Sequence, residues 1–547
     1  MAINSSDQTP DGRPTRRSFM RGAAGLAAGA ALPGVLAACA SGSSSSTKSG
    51  ATLASGTAGG KPKRGGHLII GLSDGGASDV LSPWVTPYYS AAARAQQVFE
   101  RLFTYGPQSQ AVPQLALSAE PNSDGTVWRV QLRPGVTFHN GKTLTADDVL
   151  YSFRYVANPK NNAESLPRLE PFDLNNSRAV SPTEVEFQMV RPLGDFQTAM
   201  CEKDLWIVPE GTVDFSKTLV GTGPYKYSHG EIGIAYLFER NPHYWQTGAA
   251  GGPPWTDSVQ IQILPDPTAR LNALLGGQIQ EMTFIDFASA RQYEGGSTIT
   301  VIRSPQPNTT PIYFQVDAAH FSDVRVRQAM KLSMNRVAMV NDIVLGYGTV
   351  GNDLFGKGQA VYNSSLPQWT YDPDKAASLL KQAGAYPLDV TLPTADAAPG
   401  MVQAAVAFKQ YAAAAGINVT LQKIDAGTYF GNNLYLKAPF YETQWAQGFE
   451  SQALDGLVLN APYNETHWYD KPWSDAFYAA QGILDNAKRT AAFNALQEPL
   501  WKEGGYLIWG VYETLDATTP NVRGIVPYNS NGFGNLGGFN FKYHWLA

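Results

Sequence analysis

Asp124-Gly125-Thr126-Val127-Trp128-Arg129-Val130-Gln131-Leu132-Arg133-Pro134-Gly135-Val136-Thr137-Phe138-His139-Asn140-Gly141-Lys142-Thr143-Leu144-Thr145-Ala146-Asp147-Asp148-Val149 punctuates itself without help from the rest of the chain. Apolar and polar side chains alternate over 127–132, the period of a half-buried strand. Arg133-Pro134-Gly135 turns the chain, a short extended run follows, and Asn140-Gly141 turns it again. Thr145-Ala146-Asp147-Asp148 opens a helix in the manner of a capping box, with Asp where Glu is usual. Val149, Phe153 and Val156 then fall on one helical face.

Upstream, His67-Leu68-Ile69-Ile70-Gly71-Leu72 is a short apolar run that predicts a buried strand. Downstream, one helix is expected to start near Ser322-Asp323, carry Met330, Met334, Val337 and Val344, and stop at Gly346. Another begins at Asp372-Pro373-Asp374, with Pro at its first position, and stops at Gly384. Val390-Thr391-Leu392 and Val419-Thr420-Leu421 flank a helical stretch from Met401 to Ala415. This βαβ rhythm predicts the α/β class.

With 547 residues, 43% of them hydrophobic, the chain can fill more than one core. Its formal charge of -5, with signs mixed, excludes the clustered Lys and Arg of a nucleic-acid groove. Most of the 12 Trp and 26 Tyr belong in cores, and a minority of rings is expected to line a cleft. Cys39 and Cys201 are the two cysteines. Cys39 is expected to be lipidated, which leaves Cys201 a buried small hydrophobe with no disulfide partner.

The N-terminus reads as an address. Arg16-Arg17 in Thr15-Arg16-Arg17-Ser18-Phe19-Met20-Arg21 is a twin-arginine pattern, and an Ala- and Gly-rich apolar stretch follows it from Gly22 to Leu36. That stretch is too short to span a bilayer. It ends in Leu36-Ala37-Ala38-Cys39, the small-residue pattern of a bacterial lipobox. We therefore expect a signal peptide over 1–38, a lipid anchor on Cys39 at the outer face of the cytoplasmic membrane, and a flexible tether through residue 66.

Over essentially all of residues 67–547 the chain resembles family 5 solute-binding proteins, the oligopeptide, dipeptide and nickel receptors of ABC importers. The resemblance rests on Pro113-Gln114-Leu115-Ala116 with the opening segment above, Gly221-Thr222-Gly223-Pro224-Tyr225, and Arg240-Asn241-Pro242-His243-Tyr244-Trp245. Pro265-Asp266, Phe321 to Ala329 with Asn335-Arg336, and Tyr371 to Leu380 follow in the family's order. It implies a two-lobed periplasmic-binding-protein-like fold (type II, cluster C) with an extra domain inserted in the first lobe. Lobe I would comprise 67–108, 222–317 and 523–547, the insert 109–221, and lobe II 318–522. The quoted motifs are turns, caps and internal pairs, and they identify the fold rather than the site.

The resemblance also implies a solute, a peptide first, enclosed between hinged lobes and delivered to an importer's permease and ATPase by a monomeric body. In peptide-binding members an Asp in a Trp-x-x-Asp-Tyr segment holds the amino terminus. Here that position is Gly448 in Trp445-Ala446-Gln447-Gly448-Phe449, so Glu450 takes over or the solute lacks a free amino group. An oligosaccharide or a metal chelate is the alternative solute, and an exported hydrolase the alternative class. Candidate contacts are Trp445, Gln447, Phe449 and Glu450, with Tyr88, Tyr89, Asn308, Tyr313, Trp468 and Trp509. No Gly-x-Ser-x-Gly elbow, paired His or Cys-x-x-Cys supplies a reacting group, so no enzyme, metal or cofactor is expected.

Overall fold

The computed structural model describes residues 57, 59–76, 79–85, 89–202, 204–216, 219–247, 251–425, 428–431, 433–529 and 534–547. The expected signal peptide, Cys39, most of the tether and Tyr88 lie outside these residues.

The strand His67–Leu72 lies inside a mixed eight-stranded sheet, parallel to Ser258–Ile263 on one side and Glu281–Met282 on the other. A parallel strand covered on both faces needs an unbroken apolar run, and this one has it. Antiparallel strands Ala235–Arg240 and Tyr225–Glu231 extend the sheet one way. Gly510–Thr518 and Thr300–Asn308 extend it the other.

Inserted in this lobe is a four-stranded antiparallel sheet of Ala116–Pro121, Val127–Leu132, Glu184–Met189 and Phe172–Ser181. Helix Ala146–Ala157 packs over it with Val149, Phe153 and Val156 buried. Its capping carboxylate, Asp148, accepts from the Thr145 N–H (2.9 Å) and also from the Glu210 N–H (2.7 Å) and Lys142. A single short acid therefore starts the helix and holds the chain leaving the insert.

The second lobe carries a three-stranded sheet of Phe440–Glu442, Ile312–Phe314 and Tyr506–Leu507. Beside it, parallel strands Leu388–Thr394 and Ile417–Lys423 are joined by helix Met401–Ala413. Asp323 and Asp372 cap helices Val324–Leu332 and Pro373–Gln382. The single helix expected from 322 to 346 is two, Val324–Leu332 and Arg336–Ile343. Asn335 breaks the helix there by accepting from the Ala338 N–H (3.2 Å), which makes it the cap of a new helix.

The lobes are joined at residues 309–311 and 508–509, and the two crossings are tied together. Thr309 Oγ1 donates to Gly510 O (2.8 Å), and Trp509 Nε1 donates to Thr310 O (2.8 Å). The chain is back in the first sheet at Gly510, upstream of the expected return at 523. Tyr506 to Leu515 is one nearly unbroken apolar run that serves both sheets, so composition offers no break between them.

Three family motifs meet on Glu100, a buried carboxylate. It accepts from Thr222 Oγ1 (2.9 Å), Tyr244 OH (2.8 Å), Trp245 Nε1 (2.8 Å) and Gln114 Nε2 (3.3 Å). Gly221 and Gly223 let the chain lie directly on this joint, since an added Cβ would stand 2.0 Å from Val98 O or 2.5 Å from Gln97 O. Gly221→Ala is expected to cost about 2 kcal/mol or more, in the range of overpacking. A melting temperature within a degree of the parent would contradict it.

Candidate functional site

The second sheet's strand Phe440–Glu442 runs out toward the hinge and continues into the segment that resembled the family's ligand-binding stretch. Trp445 pairs its backbone with Thr309 in both directions (2.8 and 2.9 Å), so it is fastened to a hinge crossing. Its ring is 5% exposed, and Nε1 donates to Glu465 Oε2 at 3.0 Å. Glu465 also accepts from Tyr506 OH (2.8 Å), Tyr435 OH (2.8 Å) and Thr443 Oγ1 (2.6 Å). Four neutral donors on one buried carboxylate fix the indole's orientation.

Next in sequence, Gln447 Nε2 donates to Asp455 Oδ2 (2.8 Å), and the same oxygen accepts from Arg168 Nη2 of the insert (2.8 Å). Ser451 Oγ donates to Glu202 Oε1 (3.2 Å), and Arg489 donates to Gly194 O (3.0 Å) and Asp195 Oδ2 (3.1 Å). The Gly194 N–H donates to Gln481 O at 2.6 Å. The bonds from Arg168, Ser451, Arg489 and Gly194 join the first lobe's insert to the second lobe.

Glu450 lies in this contact. Burial raises its carboxyl from 4.5 to about 8, Asp195 and Glu202 push the same way, and Arg489 opposes them. The folded chain thus holds a proton that the unfolded chain releases above about pH 4.5. The stability tied to that proton is complete below pH 4.5 and is lost as pH rises through 8. Between about pH 5 and 8.5 the parent should therefore lose melting temperature relative to Glu450→Gln. Parallel pH profiles would contradict this.

The remaining candidates are spread out. Tyr89 opens helix Tyr89–Val98 in the first lobe, its ring edge-on to Phe284 at 5.0 Å. The Asn308 amide serves the first sheet, donating to Thr514 Oγ1 (2.9 Å) and Tyr512 O (3.3 Å). Phe449 packs against Trp473, Phe477 and Phe493, Tyr313 lies near the Tyr441 ring, and Trp468 and Trp509 are buried in the second lobe. The structure thus gathers Trp445, Gln447 and Glu450, with Asn308 adjoining through Thr309. Arg168, Glu202, Asp455 and Glu442 were not singled out from sequence. Glu442 had a signal: one acid among Phe440, Tyr441 and Thr443, where a strand is otherwise closed to charge. The other three face each other from segments hundreds of residues apart, which no local pattern announces.

Cys201 is a buried free thiol, pushed far up by burial and so kept un-ionised. Among the described residues no group of three or more His, Cys, Asp or Glu side chains is placed to hold a metal ion. None of the described helices is long and apolar enough to cross a membrane.

Two α/β lobes, an insert in the first, and paired crossings beside a tryptophan define a two-lobed solute-binding protein. The model of the bacterial extracellular solute-binding proteins, family 5, matches residues 110–457, and the chain belongs to that family. The glutathione-binding protein GsiB of Pectobacterium atrosepticum is 25% identical over 484 residues, 84% of this chain and 90% of that protein. Among solved structures, the ABC transporter substrate-binding protein CtaP of Listeria monocytogenes superposes with a TM-score of 0.77 at 21% identity. That match covers 88% of this chain and all of the other. NikZ of Campylobacter jejuni, in complex with Ni(L-His), gives 0.74 at 20% identity over 87% of this chain and 99% of its own. The oligopeptide-binding protein AppA of Bacillus subtilis, in complex with a nonapeptide, gives 0.71 at 20% identity over 89% and 100%.

Proposed function

We propose that this protein captures a peptide, or a similarly small solute, between its two lobes and delivers it unaltered to the permease and ATPase of an ABC importer. The observation that carries the reading is the pairing of Trp445 with hinge residue Thr309, together with a set of bonds joining the insert to the second lobe. A ring fixed at the hinge and a polar seam between the insert and the second lobe support enclosure of a solute between hinged lobes. Export by the twin-arginine route and a lipid on Cys39 would keep the monomeric body at the outer face of the cytoplasmic membrane. Trp445, Gln447 and Glu450 are the contacts we favour, with Tyr88, Tyr89 and Asn308 as further candidates. Gly448 favours a solute whose amino group, if it has one, is held elsewhere than in the family's peptide binders.

The test is a thermal-shift screen of the purified chain with di- to pentapeptides, oligosaccharides and metal chelates, followed by mass analysis of the recovered solute. A solute at a hundredfold excess over its Kd adds about 2.7 kcal/mol to the native state, a shift of several degrees. Recovery of the solute intact supports the reading. Its conversion to product, or silence across all three sets, overturns it.

A further inference from the structure

Glu442 is the last residue of strand Phe440–Glu442 and is 0% exposed. Both its carboxyl oxygens lack a hydrogen-bond partner among the described residues. Most other buried carboxylates have donors. Glu100 and Glu465 have four donors each, Asp79 has Arg94 and Tyr236, and Asp353 has Lys331 and Arg336. Asp516 takes two backbone N–H groups and the Asn535 amide, and Glu281 has His544. A carboxyl enclosed without donors carries a desolvation cost that core packing does not return.

Its position is specific. Glu442 stands opposite Ile312, just past the 309–311 crossing, and the next residue's N–H donates to Pro311 O at 2.9 Å. Thr394, the last residue of parallel strand Leu388–Thr394, is the one group that favours its charged form, yet no hydrogen bond of proper geometry joins them. Open α/β sheets bind ligands beyond the carboxyl ends of their parallel strands. Here that end adjoins the hinge crossing at Pro311. No basic side chain contributes to the surroundings of the carboxyl, and burial pushes it well above the usual carboxylate range.

We propose that Glu442 is a specificity-determining residue that receives an ammonium or guanidinium group of the solute, with the Thr394 hydroxyl as a second acceptor. This rests on the receptor reading above and names the chemistry it selects. The solute supplies the cation that the protein withholds, and a neutral analogue leaves the carboxyl as it was.

The test uses the full chain, Glu442→Gln and Glu442→Leu. Probes are Ala-Arg-Ala and Ala-Lys-Ala with their N-acetylated forms and their citrulline and acetyl-lysine counterparts, and Kd is measured by calorimetry. The parent should bind at least one cationic form about tenfold or more tighter than its neutralised counterpart, and Glu442→Gln should erase that difference. Ligand-free Glu442→Leu should melt at or above the parent, since it removes a carboxyl without internal partners. A preference for the cation that survives Glu442→Gln overturns the proposal, as does equal binding of both forms, with the receptor reading intact in each case. A fall of several degrees in ligand-free Glu442→Leu, or failure of either variant to fold, also overturns it by showing that the group serves the core. No binding of any peptide would remove the peptide reading together with this inference.

Discussion

Asp353→Ala should destabilise the second lobe by about 3–5 kcal/mol, the cost of stranding buried charge. The Asp353 carboxylate accepts from Arg336 Nη2 at 2.8 and 2.9 Å and from Lys331 Nζ at 3.3 Å. Side-chain exposures in this triad are 0% for Asp353 and Lys331 and 1% for Arg336. Two cations thus share one anion away from water, and burial already depresses the lysine. Removing the anion leaves both without an opposite charge. It also orphans the Ile508 N–H, which donates to Asp353 Oδ1 (2.8 Å) at the start of a hinge crossing. Lys471→Ala provides the contrast, because the Lys471–Asp475 pair is 68% and 63% exposed and should be worth at most about 0.5 kcal/mol. The transition that reports the second lobe, followed by tryptophan fluorescence in urea, should shift for Asp353→Ala and hardly move for Lys471→Ala. Equal midpoints for the two variants would contradict this account of the triad.

Gly194→Val should lower solute affinity by tenfold or more (about 1.4 kcal/mol per factor of ten) while the lobes still fold. Gly194 lies on the insert, and a Cβ there would stand 2.0 Å from Ile483 O of the second lobe. No side chain can yield, because the obstacle is backbone, and the neighbouring Gly194 N–H to Gln481 O bond fixes the approach. The clash therefore acts on the contact between lobes and spares each lobe's own core. Relieving it requires the lobes to part, which stabilises the open form and weakens capture in proportion. Calorimetry with a solute found in the screen, together with the circular dichroism of the variant, checks both halves of the expectation. Unchanged affinity would show that this contact plays no part in holding the solute.

The fold was legible where local chemistry is repetitive. The alternation at 127–132, the caps at Asp323 and Asp372, and the βαβ rhythm around Met401 all form as the sequence predicts. Sequence was silent where one apolar run serves two sheets, as from Tyr506 to Leu515, and where Asn335 restarts a helix without interrupting the apolar spacing. Of the site, Trp445 could be placed because an indole stands in a segment of family pattern. Arg168, Glu202 and Asp455 could not, because each looks like an ordinary surface charge until folding sets it against the opposite lobe. Phe449 shows the converse. An aromatic beside the pattern is indistinguishable from a contact in sequence, and the structure surrounds it with Trp473, Phe477 and Phe493.

Enclosure between the lobes is tested most directly by a crystal structure of the chain grown with a solute that raises its melting temperature. The account predicts that solute between the first lobe's sheet and strand Phe440–Glu442, touching Trp445 and contacting both lobes. Density for it instead on the far side of the first lobe, for example in the cavity of about 440 Å³ lined by Trp255, Tyr528 and Tyr543, would contradict it.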